Sequence, residues 1–292
     1  MDTEERVKQA IEMFRREGPT QEFVLYFQKL KGEDPLAYSV VEIYTHNIRK
    51  QFPLSIRKGV SLLHRVSDRP GLAQWLFLLI GTAYRGVGEM EAGEACFLRA
   101  LDMARLTGDS ENISRAKLQI CISRFFKAEY EQAYKDFWSY RKDPGSRTPY
   151  MADYFLGILA IIRGQPTEAI RSLDRSLEVS LKTPNRFGAL EMKALALRIL
   201  GKLSEAMETL LESAIGYIDY ESTYSAFPLA KALELSRLAG LEPPPRKLIR
   251  KALSLAKRGS WGEQAAAQEI EALLREDDAE AAEGLTRPLR TT

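Results

Sequence analysis

Apolar residues recur every three or four positions along most of the chain, which is the spacing of one face of an α-helix. In residues 3–17, for example, Val7, Ala10, Ile11 and Phe14 form such a face. No alternating apolar and polar stretch of the kind that predicts a strand competes with this pattern. We therefore expect an all-α protein. The predicted helices cover 3–17, a stretch ending near 30, 35–48, 53–63, 71–86, 90–107, 111–127, 130–141, 148–163, 166–182, 186–200, 203–218, 222–239, 244–258 and 261–275.

The predicted turns inside successive helix pairs recur at a nearly constant spacing. They fall at Gly88, Ala128, Gly164, Gly201 and Gly240, which gives steps of 40, 36, 37 and 39 residues. Glycine suits such turns because it adopts the left-handed backbone conformation without a steric penalty. Ala128 is the exception to the glycine rule. A period in this range is typical of a helical solenoid, in which each helix pair contacts only its neighbours.

A second recurring feature is a small residue on each helix of a pair, which lets the two backbones approach closely. These residues are Gly81, Cys121, Gly157 and Ala194 on the first helices and Ala133, Ala169 and Ala206 on the second. Large side chains such as Tyr84, Phe97, Phe137, Leu173 and Leu210 are expected to fill the space around them. The clearest copy of the whole pattern is Phe77, Gly81, Tyr84, Gly88, Phe97 and Ala100.

This pattern resembles the tetratricopeptide repeat family, in its longer-period bacterial form. The resemblance covers about residues 75–240, is faint before residue 75, and ends near three consecutive prolines, Pro243–Pro245. It implies a right-handed α-solenoid of stacked antiparallel helix pairs. The domain prediction is diverged helical hairpins in 1–70, repeats in 71–258, and a capping helix with a disordered tail in 259–292.

The resemblance also implies that the first helix of each pair lines a concave groove that binds proteins or peptides. Carried over to this chain, the predicted groove residues are Trp75, Arg85, Arg115, Leu118, Ile122, Phe125, Phe126, Tyr154, Ile158, Ile162 and Arg198. The same family positions include Leu78, Thr82, Gly86, Met151, Ile161, Gly188, Glu191, Leu195 and Ile199. The middle of this set is too apolar for a freely solvated surface. Either an apolar or amphipathic partner covers it, or the chain buries these residues itself, and the sequence leaves both alternatives open.

Composition and charge exclude several other classes of function. The 42 basic and 40 acidic residues leave a net charge of +2, so no global field favours nucleic acid or an anionic membrane. The longest apolar stretches are too short to span a membrane, and the acidic start of the chain differs from a secretory signal, which predicts a cytoplasmic protein. His46 and His64 have no partner at metal-ligand spacing. No nucleophile, metal or phosphate-loop motif is evident, so we expect neither enzymatic activity nor a cofactor.

One basic segment supports an alternative. Residues 246–258 contain six basic residues and no acidic one, and Arg246, Lys247, Arg250 and Lys251 form its densest part. Such a face could bind phosphates, which suggests a nucleic-acid-associated transcriptional regulator. The segment lacks aromatic residues that would stack on bases, and an acidic stretch at 276–283 could balance its charge. The sequence therefore favours a non-catalytic scaffold, adaptor or sensor whose partner is a protein or peptide.

Overall fold

The structure, a computed structural model, describes residues 2–179 and 185–286, with the side chains of Glu17 and residues 276–286 left out. These residues form fifteen α-helices and two short 3₁₀ turns, and the described backbone contains no strand. The all-α prediction is therefore confirmed. The first eight helices are α1 (Thr3–Glu17), α2 (Gln21–Glu33), α3 (Pro35–Ile48), α4 (Phe52–Leu62), α5 (Pro70–Gly86), α6 (Met90–Thr107), α7 (Ser110–Phe126) and α8 (Tyr130–Lys142). The others are α9 (Pro149–Ile162), α10 (Pro166–Val179), α11 (Asn185–Ile199), α12 (Leu203–Asp219), α13 (Ala226–Ala239), α14 (Arg246–Ala256) and α15 (Trp261–Thr286).

The chain forms two compact units that divide between Arg147 and Thr148. This boundary lies inside the segment 71–258 that the sequence treats as one array of repeats. The predicted division followed the strength of the repeat motif, whereas the units of the structure follow the density of contacts between helices. Each unit is described separately below.

In the first unit, consecutive helices pack in pairs, and the first helices of successive pairs also contact each other. The weakly patterned beginning of the chain takes full part in this packing. Ile11 of α1, Ile43 of α3 and Leu76 of α5 are fully buried in one apolar cluster. Removing such side chains from water stabilises the fold by roughly 1.5–3 kcal/mol each. The diverged hairpins and the first clear repeat therefore share a core.

In the second unit, α9 pairs with α10 and α11 with α12, and α9 also contacts α11. The last helices α13, α14 and α15 pack on each other, with Leu233, Ile249 and Ile270 buried between them. Helix α15 continues to Thr286, although the sequence predicted an end near Arg275 and a frayed segment after it. The predicted disordered tail after residue 286 and the end of the predicted helix 166–182 lie outside the described residues.

All five predicted turn residues adopt the left-handed conformation, with φ between +60° at Ala128 and +88° at Gly88. The N–H of Gly164 donates to the carbonyl of Ile161 (2.9 Å), and the N–H of Gln165 donates to that of Ala160 (2.8 Å). This pair of bonds satisfies carbonyl groups at the end of the first helix. Ala128 makes the same two bonds as the glycines, so the turn is built by the main chain even where glycine is missing.

Three further turns of this kind were not among the five predictions, and one of them is at Gly108, between α6 and α7, with φ of 68°. Lys50, between α3 and α4, and Glu221, between α12 and α13, have φ values of 57° and 51°. Each makes the same pair of main-chain hydrogen bonds as the glycine turns. Lys50 lies one repeat before Gly88, so the regular turn extends into the segment predicted as diverged. At Glu221, the turn and the following 3₁₀ turn Thr223–Ser225 delay the start of α13, which was predicted at residue 222.

The small residues permit close helix packing, as their positions in the sequence predict. A Cβ atom on Gly157 would lie 2.6 Å from Leu173 Cγ, and one on Gly81 would lie 2.7 Å from Phe97 Cε1. Real Cβ atoms do not approach other atoms this closely, so only glycine fits without a shift of the neighbouring helix. Ala133, Ala169 and Ala206 are all fully buried on the facing helices.

Candidate functional site

Three of the predicted groove residues are interior residues of the structure. Trp75, Leu118 and Ile122 expose only 3%, 6% and 6% of their surface. Helices α5 and α7 pack side by side, and the Arg115 guanidinium covers the indole of Trp75 at 4.7 Å from the ring centre. At these three positions the chain itself covers the apolar side chains, which is the second of the alternatives that the sequence left open. They are not available as anchors for a partner.

The predicted arginines also differ in their surroundings. Arg85 lies against the ring of Phe97 at 5.3 Å, and burial lowers its pKa to about 10. Burial likewise lowers the pKa of Arg115 to about 10, although Glu111 accepts a bond from its guanidinium at 2.6 Å. Arg198 remains at the surface, where its guanidinium lies 3.4 Å from a carboxylate oxygen of Glu234. Arg198 is therefore the most accessible of the three.

Other predicted groove residues are accessible, and they share one place on their helices. Phe126, Ile162 and Ile199 are the last residues of α7, α9 and α11, and they are 54%, 46% and 52% exposed. Phe125 is half-buried beside Phe126, with ring centres 5.4 Å apart. An exposed apolar residue thus recurs at the carboxyl end of successive first helices, once in the first unit and twice in the second.

In the second unit these residues belong to a larger apolar surface, which we call the α9–α11 surface. On α9 it contains Ile158 and Ile162, and on α11 it contains Leu195 and Ile199. Residues four apart lie on the same face of a helix, and α9 contacts α11. Ile158 is half-buried and the other three are 40–52% exposed. The surface is accessible within its unit.

A pocket of about 310 Å³ lies in the same unit. It is lined by Met151 and Tyr154 of α9, Asn185, Gly188, Glu191 and Met192 of α11, Tyr217 of α12, Tyr224 of the 3₁₀ turn, and Lys231 of α13. Four of these residues, Met151, Tyr154, Gly188 and Glu191, occupy groove positions that the resemblance assigned. The structure therefore brings equivalent positions of successive first helices together around one cavity.

Glu191 is the buried charge of this pocket. Its side chain is only 5% exposed, and its Oε2 accepts a hydrogen bond from the Lys231 ammonium at 3.1 Å. The Tyr217 hydroxyl donates a second hydrogen bond to the same carboxylate. Burial raises the pKa of Glu191 above its ordinary value, and the two hydrogen-bond donors oppose this shift. Lys231 differs from its partner because its side chain is 49% exposed.

The three tyrosines of the pocket are neutral hydrogen-bonding groups. Burial raises the pKa values of Tyr154, Tyr217 and Tyr224, and the nearby Glu191 carboxylate raises them further. The rings of Tyr217 and Tyr224 lie 5.1 Å apart at an angle of 57°. The pocket therefore offers aromatic faces, phenol hydroxyls and one carboxylate to a bound group.

Sequence reasoning missed the residues that close the pocket. Lys231 lies 40 residues after Glu191, one repeat later, so opposite charges one period apart are the signal that could have found it. Tyr217 and Tyr224 lie on a second helix and on a 3₁₀ turn, which the groove positions of the family do not include.

The remaining chemistry-bearing residues form no reactive centre in the part of the chain that the structure describes. Burial raises the pKa of the Cys96 thiol to about 11 and that of Cys121 to about 12, so both thiols are protonated at neutral pH. No three His, Cys, Asp or Glu side chains within the described ranges are grouped as a metal ion would require. None of the described helices is both long and apolar enough to cross a membrane.

The basic segment forms α14 and its carboxyl-terminal turn. Its apolar stripe is buried through Ile249, Ala252 and Leu255. Its six basic residues are Arg246, Lys247, Arg250, Lys251, Lys257 and Arg258. All six are exposed, and none of them forms an ion pair with a side chain that the structure describes. The sequence suggested that the acidic stretch 276–283 could balance the charge of this segment, but the side chains of that stretch lie outside the described set.

No family model and no curated protein match this chain. Solved structures do match it. The apo form of the quorum sensor NprR from B. thuringiensis is 16% identical, with a TM-score of 0.68 over 98% of this chain and 87% of that chain. The apo form of RapI is 9% identical, with a TM-score of 0.61 over 95% of this chain and 86% of that chain. PilF from Pseudomonas aeruginosa is 14% identical, with a TM-score of 0.54 over 82% of this chain and 98% of that chain.

The chain has a tetratricopeptide-type helical repeat fold. At these identities the likeness concerns the fold alone. It agrees with the recurring turns and the small residues of the helix pairs, and it covers the beginning of the chain, where the repeat motif is faint.

Proposed function

We propose that this protein is a non-catalytic sensor or adaptor that binds a peptide or a segment of another protein. The observation that carries the proposal is the α9–α11 surface, where accessible apolar side chains lie in the same unit as a pocket with a buried carboxylate and three tyrosines. Binding sites for peptides combine apolar anchors, which supply most of the affinity, with a few polar groups that fix orientation.

The chemistry of this surface indicates an apolar or amphipathic segment. Ile162, Leu195 and Ile199 would lose their remaining contact with water under such a segment, which supplies binding energy in proportion to the apolar area covered. The fold shared with NprR, which is described as a quorum sensor, supports a sensing role. A cytoplasmic location belongs to the same proposal.

A pair of matched substitutions tests the proposal. A library of random dodecapeptides would be selected on the immobilised protein, and the enriched peptides would be synthesised and titrated by calorimetry. Ile162→Glu should weaken binding at least tenfold, because it removes an apolar anchor whose exposed half is worth about 0.7–1.5 kcal/mol and also places a charge under the peptide. The control is Ile215→Glu on the second helix α12, since Ile215 is also an isoleucine that is 46% exposed.

The control should leave both binding and the circular dichroism spectrum unchanged. The proposal would be contradicted if the selection enriched no peptide, or if Ile162→Glu and Ile215→Glu lowered the affinity equally.

The basic face of α14 supports a second candidate function, which is binding of nucleic acid. Six exposed basic residues without a described partner are the observation that favours it. Phosphate contacts predict that the binding constant falls steeply with salt, by roughly 0.9 log units per contact for each tenfold rise. Mobility-shift titrations of duplex DNA at two salt concentrations should show this slope, and Arg250→Gln with Lys251→Gln should reduce it. Absence of binding at low salt would refute this second candidate.

A further inference from the structure

The pocket around Glu191 contains features that attract a positive charge. The Glu191 carboxylate is almost fully buried, and three tyrosine side chains line the same cavity. The faces of aromatic rings attract ammonium and guanidinium groups, and the attraction grows when water is excluded. At about 310 Å³ the cavity lies at the lower end of the range of roughly 300–1,000 Å³ that ligand pockets occupy.

The Lys231 ammonium binds the Glu191 carboxylate from the solvent side. Its ammonium lies 3.1 Å from Glu191 Oε2, yet half of its side chain is in contact with water. The ammonium regains water when it leaves, so the cost of separating the pair falls on the buried carboxylate, which would be left unpaired. Lys231 can therefore return to solvent when a ligand cation replaces it on Glu191, whereas Glu191 cannot leave the interior. The carboxylate is the fixed partner of the pair, and the lysine is the exchangeable one.

We infer that this pocket binds the cationic group of a ligand, a guanidinium or an ammonium, in place of the Lys231 ammonium. The inference rests on the proposed function where the cation is an arginine or lysine side chain of the bound segment. A small free cation with the same chemistry would use the same site, and the experiment separates the two sources.

Anionic ligands fit the pocket less well. A carboxylate or phosphate would have to approach the buried Glu191, and like charges at short distance repel strongly when little water separates them. The Tyr217 hydroxyl already donates its hydrogen bond to Glu191. Lys231 is therefore the positively charged group of the pocket that could bind an anion.

The test uses the full chain and two kinds of probe. Hexapeptide sublibraries carry arginine, lysine or citrulline at one fixed position, and N-acetyl-arginine amide and N-acetyl-citrulline amide serve as free molecules. Citrulline matters because it has the shape of arginine without its charge. For the wild type we expect at least tenfold tighter binding of arginine than of citrulline at one position of the peptide.

Two substitutions should change this preference in opposite directions. Glu191→Gln should abolish the preference for arginine while citrulline peptides still bind, because the charge is lost and the hydrogen-bonding shape is kept. Lys231→Met should increase the preference, because it removes the internal competitor. Glu212→Gln changes a half-exposed carboxylate that pairs with Arg186, and as the control it should leave the preference unchanged. Circular dichroism would verify that each variant is folded.

The outcomes distinguish this inference from the proposed function. If peptides bind but do not distinguish arginine from citrulline, the cation site is refuted and the peptide-binding function stands. If only free N-acetyl-arginine amide binds, and Glu191→Gln abolishes its binding, the site takes a small cation and the peptide-binding function is refuted. If neither probe binds, both are refuted.

Discussion

The turn at Ala128 offers a quantitative test of how the repeat is built. Ala128 has φ of 60°, and its N–H and that of Glu129 donate to the carbonyls of Phe125 and Arg124, both at 3.0 Å. The left-handed conformation costs a residue with a Cβ atom about 1–2 kcal/mol, and glycine avoids this cost. Glycine also gives the unfolded chain more freedom, which offsets about 0.5–1 kcal/mol. Since Ala128 is exposed, no packing is lost. Ala128→Gly should therefore raise the free energy of unfolding by about 0.5–1 kcal/mol.

The matched control is the same substitution in a right-handed helix. Ala95 is exposed in the interior of α6, where glycine is less favourable than alanine by about 1 kcal/mol. Urea unfolding, followed by circular dichroism, would give both changes on the same scale. Ala95→Gly should lower the urea midpoint and Ala128→Gly should raise it. A lower midpoint for both variants would refute the argument that the main chain imposes this turn against the preference of its residue.

Two further predictions concern packing and pH. Gly157→Ala should destabilise the protein by about 1–3 kcal/mol, because the added Cβ would overlap Leu173. The control Gly32→Ala should be neutral or stabilising, because the space around Gly32 is open. Equal changes in the melting temperature of the two variants would contradict the close approach of the helices at Gly157. The pKa of Glu191 is raised in the folded state, so its contribution to stability is present below the unfolded pKa of about 4.3 and is lost as pH rises through the folded value. Relative to Glu191→Gln, the wild type should lose urea resistance as pH rises above about 4, where the phenols of Tyr217 and Tyr224, whose pKa values are raised, stay neutral. Parallel pH profiles of the two proteins would contradict this.

The helices and turns were predictable because they depend on local sequence. The spacing of apolar residues, together with a glycine at four of the five predicted turns, indicates where a helix ends. Lys50 and Glu221 adopt the same conformation as those glycines, yet their side chains give no signal of it. Their geometry accompanies the same pair of main-chain hydrogen bonds, which the identity of the residue does not reveal.

The family positions indicate which first-helix residues face the candidate site, but not which of them are buried. Two of these positions, Tyr154 on α9 and Glu191 on α11, line one cavity of the structure. The family positions do not distinguish Trp75, which an adjacent helix covers, from Ile162, which stays accessible. Both are large apolar residues on a first helix, and the difference depends on how closely the next helix packs. Only the structure therefore shows whether a groove position is buried or accessible.

The burial of the two native thiols has a practical consequence for following ligand binding in solution. Because burial raises the pKa values of Cys96 and Cys121, we expect both thiols to react slowly with maleimides at neutral pH. Lys50 and Glu221 point to solvent at turns whose hydrogen bonds use main-chain atoms only. Cysteines introduced there would take up a donor and an acceptor dye selectively, one in each unit, without removal of the native thiols. Energy transfer between the dyes would then report any rearrangement of the units when a ligand binds.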